Sequence, residues 1–286
     1  MDNQDLRRDP LTGVLSFHPD QRNKPFPITR RTLPELRSPC VFCALATAPV
    51  NDCGEILNGE QWTPLKHDNA FTFTIENRWR PFGPTSGADL VIARRHATSV
   101  EELTPSEAEE FFEALLEIKT RHQRNFCRTL AYINVGLEVN GTQAHLHGQI
   151  VSTNLDTVAP IVTNLTSLSL RDDEELARRH DLVVNVTTGA LTYCAWAPTT
   201  TGETRVVADD PTALARGVQD TLSRMNRAYG ELSYNVVLLV GPSLVAQVLP
   251  RFTAVGVLPP YFGLAVIMIA PEDVAAALRR DTTREF

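Results

Sequence analysis

The feature that most constrains this chain is a short alternating motif near its middle, His-Leu-His-Gly-Gln at residues 145–149. Residues i, i+2 and i+4 of a β-strand point to the same face of a sheet. We therefore expect His145, His147 and Gln149 to line one surface. The loop before the motif is small and polar and contains Gly141, so its backbone N–H groups are suited to binding an anion. A nucleophilic histidine beside such a loop predicts phosphoryl-group chemistry.

Composition and charge narrow the class of protein. A chain of 286 residues with 43% hydrophobic content can bury one large core or two domains. No apolar run approaches the ~20 residues needed to span a bilayer, and the N-terminal residues lack the pattern of a signal peptide. The sequence thus predicts a cytoplasmic protein without a membrane partner. The net charge of −7 and the scattered basic residues disfavour nucleic-acid binding.

The five cysteines do not form the pattern of a disulfide framework. Two of them have the spacing Cys40-x-x-Cys43, which lets two thiolates share one tetrahedral ion that needs two further ligands. His96 follows a predicted strand and His145 begins the motif, so these two histidines are the candidates to complete a Cys2His2 site. From spacing alone, the alternative is a reducible dithiol or a pair of buried thiols.

Hydrophobic periodicity predicts the order helix, strand, loop, strand in the first half of the chain. A capping box at Thr104-Pro105-Ser106-Glu107 begins a helix that is expected to run to about Arg128. Strands are predicted at about 130–139 and 145–152.

The same order recurs in the second half. Asp210-Pro211 begins a helix that is expected to end near Gly230, and strands follow at 234–240 and from Val245 onward. The matching strand has no histidine, so this copy is expected to have lost the chemistry. The predicted fold is α+β, with two antiparallel-sheet halves at 1–155 and 156–286, helices packed on the sheets, and a degenerate second half.

Several segments together carry a family resemblance. They are Asp9-Pro10-Leu11, Cys40-x-x-Cys43, Glu76-Asn77-Arg78-Trp79, Ala93-Arg94-Arg95-His96, Asn134-x-Gly136, Thr142 and the motif at 145–149. In this order they resemble galactose-1-phosphate uridylyltransferases, within the histidine-triad (HIT) superfamily. The agreement covers roughly residues 9 to 152, and the remainder resembles the family weakly. The resemblance implies a HIT-like duplicated fold.

The resemblance also implies a covalent mechanism. His147 would attack the α-phosphorus of a nucleoside diphosphate sugar or another nucleotide donor and form a nucleotidyl-histidine, most simply with UMP. Gln149 would bond a phosphoryl oxygen. Because HIT hydrolases have a third histidine at that position, the glutamine favours transfer to an acceptor over hydrolysis. His145 would help to hold a structural zinc ion and so fix His147. The implied zinc ligands are Cys40, Cys43, His96 and His145.

Further residues are assigned to the substrates by the same resemblance. Asn77 would contact the ribose and Asn134 the phosphates, although either asparagine taken alone is more typical of an Asx turn than of a ligand contact. The other nucleotide-binding candidates are Gly141, Thr142 and Arg22.

The acceptor segment departs from the family. Where the family has Tyr-Glu and then Gln, this chain has Tyr261-Phe262 and then Met268. A phenyl ring cannot bond sugar hydroxyls, so we expect Tyr261 and Phe262 to bind an acceptor other than galactose 1-phosphate. The alternative is that this segment is a buried strand.

The sequence therefore predicts a homodimeric nucleotidyltransferase that uses a nucleotide donor and a phosphorylated small-molecule acceptor. Two alternatives remain. A phosphorylase or hydrolase of dinucleoside polyphosphates would use the same nucleophile, and Gln149 argues against the hydrolase more than against the phosphorylase. A zinc-stabilised nucleotide-binding protein without turnover would fit the degenerate second half.

Overall fold

The computed structural model describes residues 5–18, 28–33, 40–139, 141–155, 167–187, 189–252 and 264–280. The chain folds as two units, which we name the central unit, Leu33–Pro160, and the composite unit, Met1–Thr32 with Ile161–Phe286. This grouping differs from the expected halves for residues 1–32. The reason is a long-range pairing, since β2 (Leu15–His18) pairs with β1 (Asp5–Arg8) and also, in parallel, with β14 (Leu264–Val266).

The central unit is an antiparallel sheet with a helix on each face. Its described strands have the order β3-β4-β5-β6-β8-β7. The strands are β3 (Glu55–Asn58), β4 (Gln61–Asp68), β5 (Thr72–Glu76), β6 (Gly87–Ala93), β7 (Arg128–Val135) and β8 (His147–Thr153). The helices are α1 (Val41–Ala46) and α2 (Pro105–Gln123), with 3-10 turns at Val100–Glu102 and Leu137–Val139.

The composite unit contains five neighbouring antiparallel strands in the order β12-β13-β11-β10-β9. The strands are β9 (Val183–Thr187), β10 (Ala190–Cys194), β11 (Thr204–Ala208), β12 (Ser233–Val240) and β13 (Leu244–Arg251). The helices are α3 (Ser167–Arg179), α4 (Pro211–Tyr229) and α5 (Pro271–Arg279). Over the described residues, none of the helices combines the length and apolarity needed to cross a membrane.

The two units share one topology. In each unit, three consecutive strands form a meander and a long helix follows. Two more strands come after the helix, and the second of these pairs with the third strand of the meander. This arrangement gives the orders β4-β5-β6-β8-β7 and β9-β10-β11-β13-β12. The predicted duplicated α+β fold is confirmed.

Local sequence signals set where the long helices begin. The Thr104 hydroxyl accepts from the Glu107 amide, and the Glu107 carboxylate accepts from the Thr104 amide, which is the predicted capping box. The helix ends at Gln123, five residues before the predicted end, because the His122 carbonyl accepts from the amides of residues 125 and 126 and closes a turn before β7. Similarly, β7 ends at Val135, short of the predicted residue 139, because Gly136 has a φ of 100°.

Helix α2 packs closely on β8. Phe111, Leu115 and Ile118 are fully buried in this interface. Gly148 allows the close approach, because a Cβ at this position would lie 2.4 Å from the Leu115 Cδ2 atom. Gly148 therefore faces α2, and the alternation of the strand turns His147 and Gln149 to the opposite face of the sheet.

We predict that Gly148→Ala lowers the free energy of unfolding by about 1–3 kcal/mol, since the added methyl group overpacks the core against Leu115. Denaturant titration measures the loss. The double variant Gly148→Ala, Leu115→Val provides the control. Because valine frees space at the contact, the double variant should lose less stability than the sum of the two single changes. Additive losses would contradict the contact.

A buried polar network lies on the same side of the sheet as α2. Asp89, which is 2% exposed, bonds His122 Nε2 at 2.8 Å and Lys66 Nζ at 2.5 Å. His122 Nδ1 lies 2.8 Å from the Ser152 hydroxyl, which in turn contacts Thr129 Oγ1 at 3.0 Å. Burial raises the pKa of Asp89, but the hydrogen bonds and charges of His122 and Lys66 outweigh burial and hold this pKa below its ordinary value.

This depressed pKa predicts a pH-dependent contribution to stability. The ionised Asp89 stabilises the fold above the pKa that the group has in the unfolded chain, about 4, and the contribution is lost as pH falls through the lower folded-state pKa. The wild type should therefore be more stable than Asp89→Asn near neutral pH, and the difference in unfolding free energy should shrink below about pH 4. Denaturant titrations from pH 3 to 7 test the prediction, and a pH-independent difference would refute it.

Candidate active site

The motif strand begins two residues later than the sequence predicts. β8 starts at His147, so the prediction that His145 lies on the strand is wrong. The physical reason lies at Leu146, whose amide donates to the Ala97 carbonyl at 2.7 Å and whose carbonyl accepts from the Ala93 amide at 3.3 Å. These bonds hold residues 145–146 against the segment that follows β6, and that segment carries His96.

His147 is a buried, oriented imidazole. It is 7% exposed, and its Nδ1 lies 2.9 Å from the His145 carbonyl oxygen. Because a carbonyl only accepts, Nδ1 carries the proton and Nε2 carries the free lone pair. Burial lowers the pKa of His147, and the bond to the His145 carbonyl opposes that effect only in part. The Phe42 ring, 5.1 Å away between centroids, packs against the imidazole. The arrangement presents a neutral nitrogen nucleophile.

Gln149 shares the sheet face of His147 and is held by a residue that the sequence analysis missed. Tyr132 is the register partner of Gln149 across β7 and β8, and its hydroxyl donates to Gln149 Oε1 at 3.1 Å. Burial raises the pKa of Tyr132, so the phenol keeps its proton. Asn134 follows Tyr132 by two residues and lies on the same face. His147, Gln149 and Asn134 thus lie on one face of the sheet.

The four predicted metal ligands also come together. Cys40 is the N-cap residue of α1 and Cys43 lies within this short helix, next to His96 and His145. The Cys43 sulfur lies 3.2 Å from His96 Nδ1 and 3.4 Å from His145 Nδ1, and the Cys40 sulfur lies 3.5 Å from His145 Nδ1. All four ligand atoms fall within 4.8 Å of one another. Ligands of a tetrahedral Zn²⁺ lie about 3.5 Å apart, so the group can hold a metal ion.

The protonation chemistry of this cluster suits a metal. His145 Nε2 donates to the Ala93 carbonyl at 2.7 Å, which leaves Nδ1 free to bind an ion. Burial lowers the pKa of His145 to about 4, helped by His96 and His147, so the ring is neutral. Burial and the neighbouring Cys40 raise the pKa of Cys43, so metal binding there would release a proton.

One residue connects the Cys2His2 group to His147. The His145 ring belongs to the cluster, and the His145 carbonyl orients His147. Phe42, between the two cysteines in sequence, contacts the rings of both histidines. The sequence offered one indication that Phe42 packs on these rings, namely its position between the two cysteines, but the Cys-x-x-Cys spacing by itself predicts only the role of the thiols.

The other predicted nucleotide-binding residues have local roles in the structure. The Asn77 side chain accepts from the Trp79 amide at 3.0 Å, which is an Asx turn. The Gly141 amide donates to the Gly136 carbonyl at 3.0 Å, so it is engaged within the loop. Thr142 is exposed. Assignment of these residues to a nucleotide stays a prediction. Arg22, Tyr261 and Phe262 lie outside the described residues.

The corresponding sheet face of the composite unit is filled by ion pairs. A Cβ on Gly217 of α4 would lie 2.5 Å from Val206 Cγ1, so Val206 faces α4 and the residue before it, Arg205, points away from α4. Arg205 is fully buried and pairs in register with Gln247 of β13. Its guanidinium group contacts Asp9 at 2.8 Å, Asp173 at 2.6 Å and Glu203 at 2.8 Å. The composite unit therefore has a buried cluster of ion pairs on the sheet face that carries His147 in the central unit.

No family model and no curated protein matches this sequence. Solved structures match over nearly the whole chain. An ADP-glucose phosphorylase from Arabidopsis thaliana with bound ADP-glucose has 17% identity and a TM-score of 0.71, covering 97% of this chain and 99% of that one. A galT-like protein from Arabidopsis thaliana has 16% identity and a TM-score of 0.67, covering 98% and 99%. A uridylyltransferase has 16% identity and a TM-score of 0.60, covering 96% and 97%. The chain therefore has the fold of these galT-like, phosphorylase and uridylyltransferase structures, as the resemblance predicts.

Proposed function

We propose that this protein is a nucleotidyltransferase that moves a nucleoside monophosphate group from a nucleoside diphosphate sugar to a phosphate-bearing acceptor. The observation that carries the proposal is the geometry of His147, whose protonated Nδ1 is bonded to the His145 carbonyl and whose Nε2 bears the lone pair. A fold shared with an ADP-glucose phosphorylase and a uridylyltransferase supports the same class of chemistry.

The reaction consists of two displacements at one phosphorus. His147 Nε2 attacks the α-phosphorus, a P–N bond forms, and the bond from the α-phosphorus to the bridging oxygen breaks to release the sugar 1-phosphate. A phosphate oxygen of the acceptor then attacks the same phosphorus and breaks the P–N bond, which returns neutral His147. The imidazole carries positive charge while it is nucleotidylated. The hydrogen bond from Nδ1 to the His145 carbonyl stabilises that charge.

Substrate recognition is proposed to involve the polar residues beside His147 and a departure from the family's acceptor segment. Gln149 and Asn134, on the face of His147, donate to phosphate oxygens, and Arg22 adds a cation for the diphosphate. We propose UMP as the transferred group. An acceptor other than galactose 1-phosphate follows from Phe262, because its ring offers no hydrogen bond to a sugar hydroxyl.

The metal cluster is proposed to hold a structural zinc ion. Two thiolates and two imidazoles form a donor set that zinc prefers, and four protein ligands leave no open position for substrate. The ion would fix the His145 ring. Because the His145 carbonyl orients His147, it would also hold the nucleophile in place.

Incubation with a donor and no acceptor tests the covalent intermediate. We expect wild-type protein to gain the mass of one nucleoside monophosphate from UDP-glucose or ADP-glucose, and His147→Ala to gain none, because the variant lacks the attacking nitrogen. Intact-mass spectrometry measures the adduct. His67→Ala, which removes a histidine that pairs with Glu117, is the matched control and should be labelled like the wild type.

The same experiment separates the rival functions. A label formed only from a dinucleoside polyphosphate would favour a phosphorylase of those molecules. Nucleotide binding with neither label nor release of product would contradict an enzyme and favour a binding protein. Addition of galactose 1-phosphate should remove the label more slowly than addition of the true acceptor. Inorganic phosphate is the first acceptor to compare with it.

Metal analysis tests the zinc proposal independently of activity. The purified protein should contain about one zinc ion per chain, and Cys43→Ser should lose it and melt at a lower temperature, because structural zinc contributes folding free energy. Cys53→Ser is the matched control, since Cys53 is exposed and outside the cluster, and it should keep its zinc. A wild type without metal, or equal metal content in Cys43→Ser, would refute the site.

A further inference from the structure

We infer that Tyr132 is a positioning residue that sets which end of the Gln149 amide faces the phosphoryl group during nucleotidyl transfer. The inference rests on the proposed function and adds a residue to its machinery. Tyr132 and Gln149 are directly opposed on adjacent antiparallel strands, so their side chains lie on one face of the sheet, the face of His147.

A glutamine amide has two chemically opposite ends. Its oxygen only accepts hydrogen bonds and its nitrogen only donates them. A phosphoryl group also presents only acceptors to the protein, so the nitrogen end stabilises it and the oxygen end repels it. A rotation of the amide by 180° would therefore replace a stabilising hydrogen bond from Gln149 to the phosphoryl group with electrostatic repulsion.

The Tyr132 hydroxyl favours one of these orientations, because a phenol donates a hydrogen bond more strongly than it accepts one. It donates to Gln149 Oε1 at 3.1 Å, which fixes the oxygen end on the tyrosine. Within the part of the chain that the structure describes, Gln149 Nε2 has no partner, and the side chain is only half-buried. The two N–H groups are consequently left to donate to a substrate on the face of His147.

The chemistry of the pair explains why a rigid phenol suits this role. Tyrosine has few rotatable bonds, and the register of β7 and β8 fixes where its ring stands. A phenylalanine would keep the ring packing and lose only the hydroxyl donor. The amide would then sample both orientations, and substrate binding would have to select the productive one.

Single-turnover nucleotidylation of His147 tests this inference in a double-mutant cycle. Tyr132→Phe should slow adduct formation about fivefold, the effect of one neutral hydrogen bond, whereas Gln149→Ala should slow it at least tenfold. Tyr132→Phe should have no further effect in the Gln149→Ala background, because the tyrosine acts through the amide. UDP-glucose and ADP-glucose are the donors, and intact mass is the measurement. The melting temperature of Tyr132→Phe should stay close to that of the wild type.

Each outcome of the cycle has one meaning. Tyr193→Phe, which removes a phenol hydroxyl that donates to Asp173 in the composite unit, controls for the loss of a buried hydroxyl and should be labelled at the wild-type rate. If Tyr132→Phe is labelled as fast as the wild type, or if the two losses are additive, the positioning role is overturned while the proposed function stands. If the wild type itself forms no adduct on His147, the proposed function and this inference both fall.

Discussion

The site depends on the way Leu146 is held by the segment after β6. Its amide and carbonyl bond Ala97 and Ala93, and these two bonds determine where the motif leaves the loop and enters the sheet. On one side, the His145 ring is brought to His96 and the two cysteines, and on the other side the His145 carbonyl receives the proton of His147. The positions of the Cys2His2 group and of His147 are therefore consequences of a single backbone arrangement, and a shift there would move both together.

Much of this could be predicted from the sequence because the responsible signals are local. The two-residue spacing placed His147 and Gln149 on one face, and the capping residues placed the start of α2. The ligand set could be predicted because few histidines were available to complete the Cys-x-x-Cys pair. The position of His145 could not, since alternation cannot reveal that Leu146 bonds to a segment about 50 residues earlier.

Other features required the register of distant strands. Tyr132 and Gln149 are paired across a connection that includes a 3-10 turn, and no tight hairpin signal fixes which residues oppose each other. The C-terminal end of α2 could not be predicted either, because it is determined by the turn that leads into β7. The assignment of residues 1–32 depended on a parallel pairing with a strand near the C-terminus, which propensity and periodicity do not encode.

That parallel pairing has a consequence for how the chain is made. The central unit is one continuous stretch, so a ribosome releases everything its sheet needs in order, and it can fold while synthesis continues. The first two strands emerge much earlier than their partner β14, which is more than two hundred residues downstream. Until then β2 has an open edge, through which a nascent chain is exposed to misassociation. The composite unit is thus completed after the central unit, although part of it precedes the central unit along the chain.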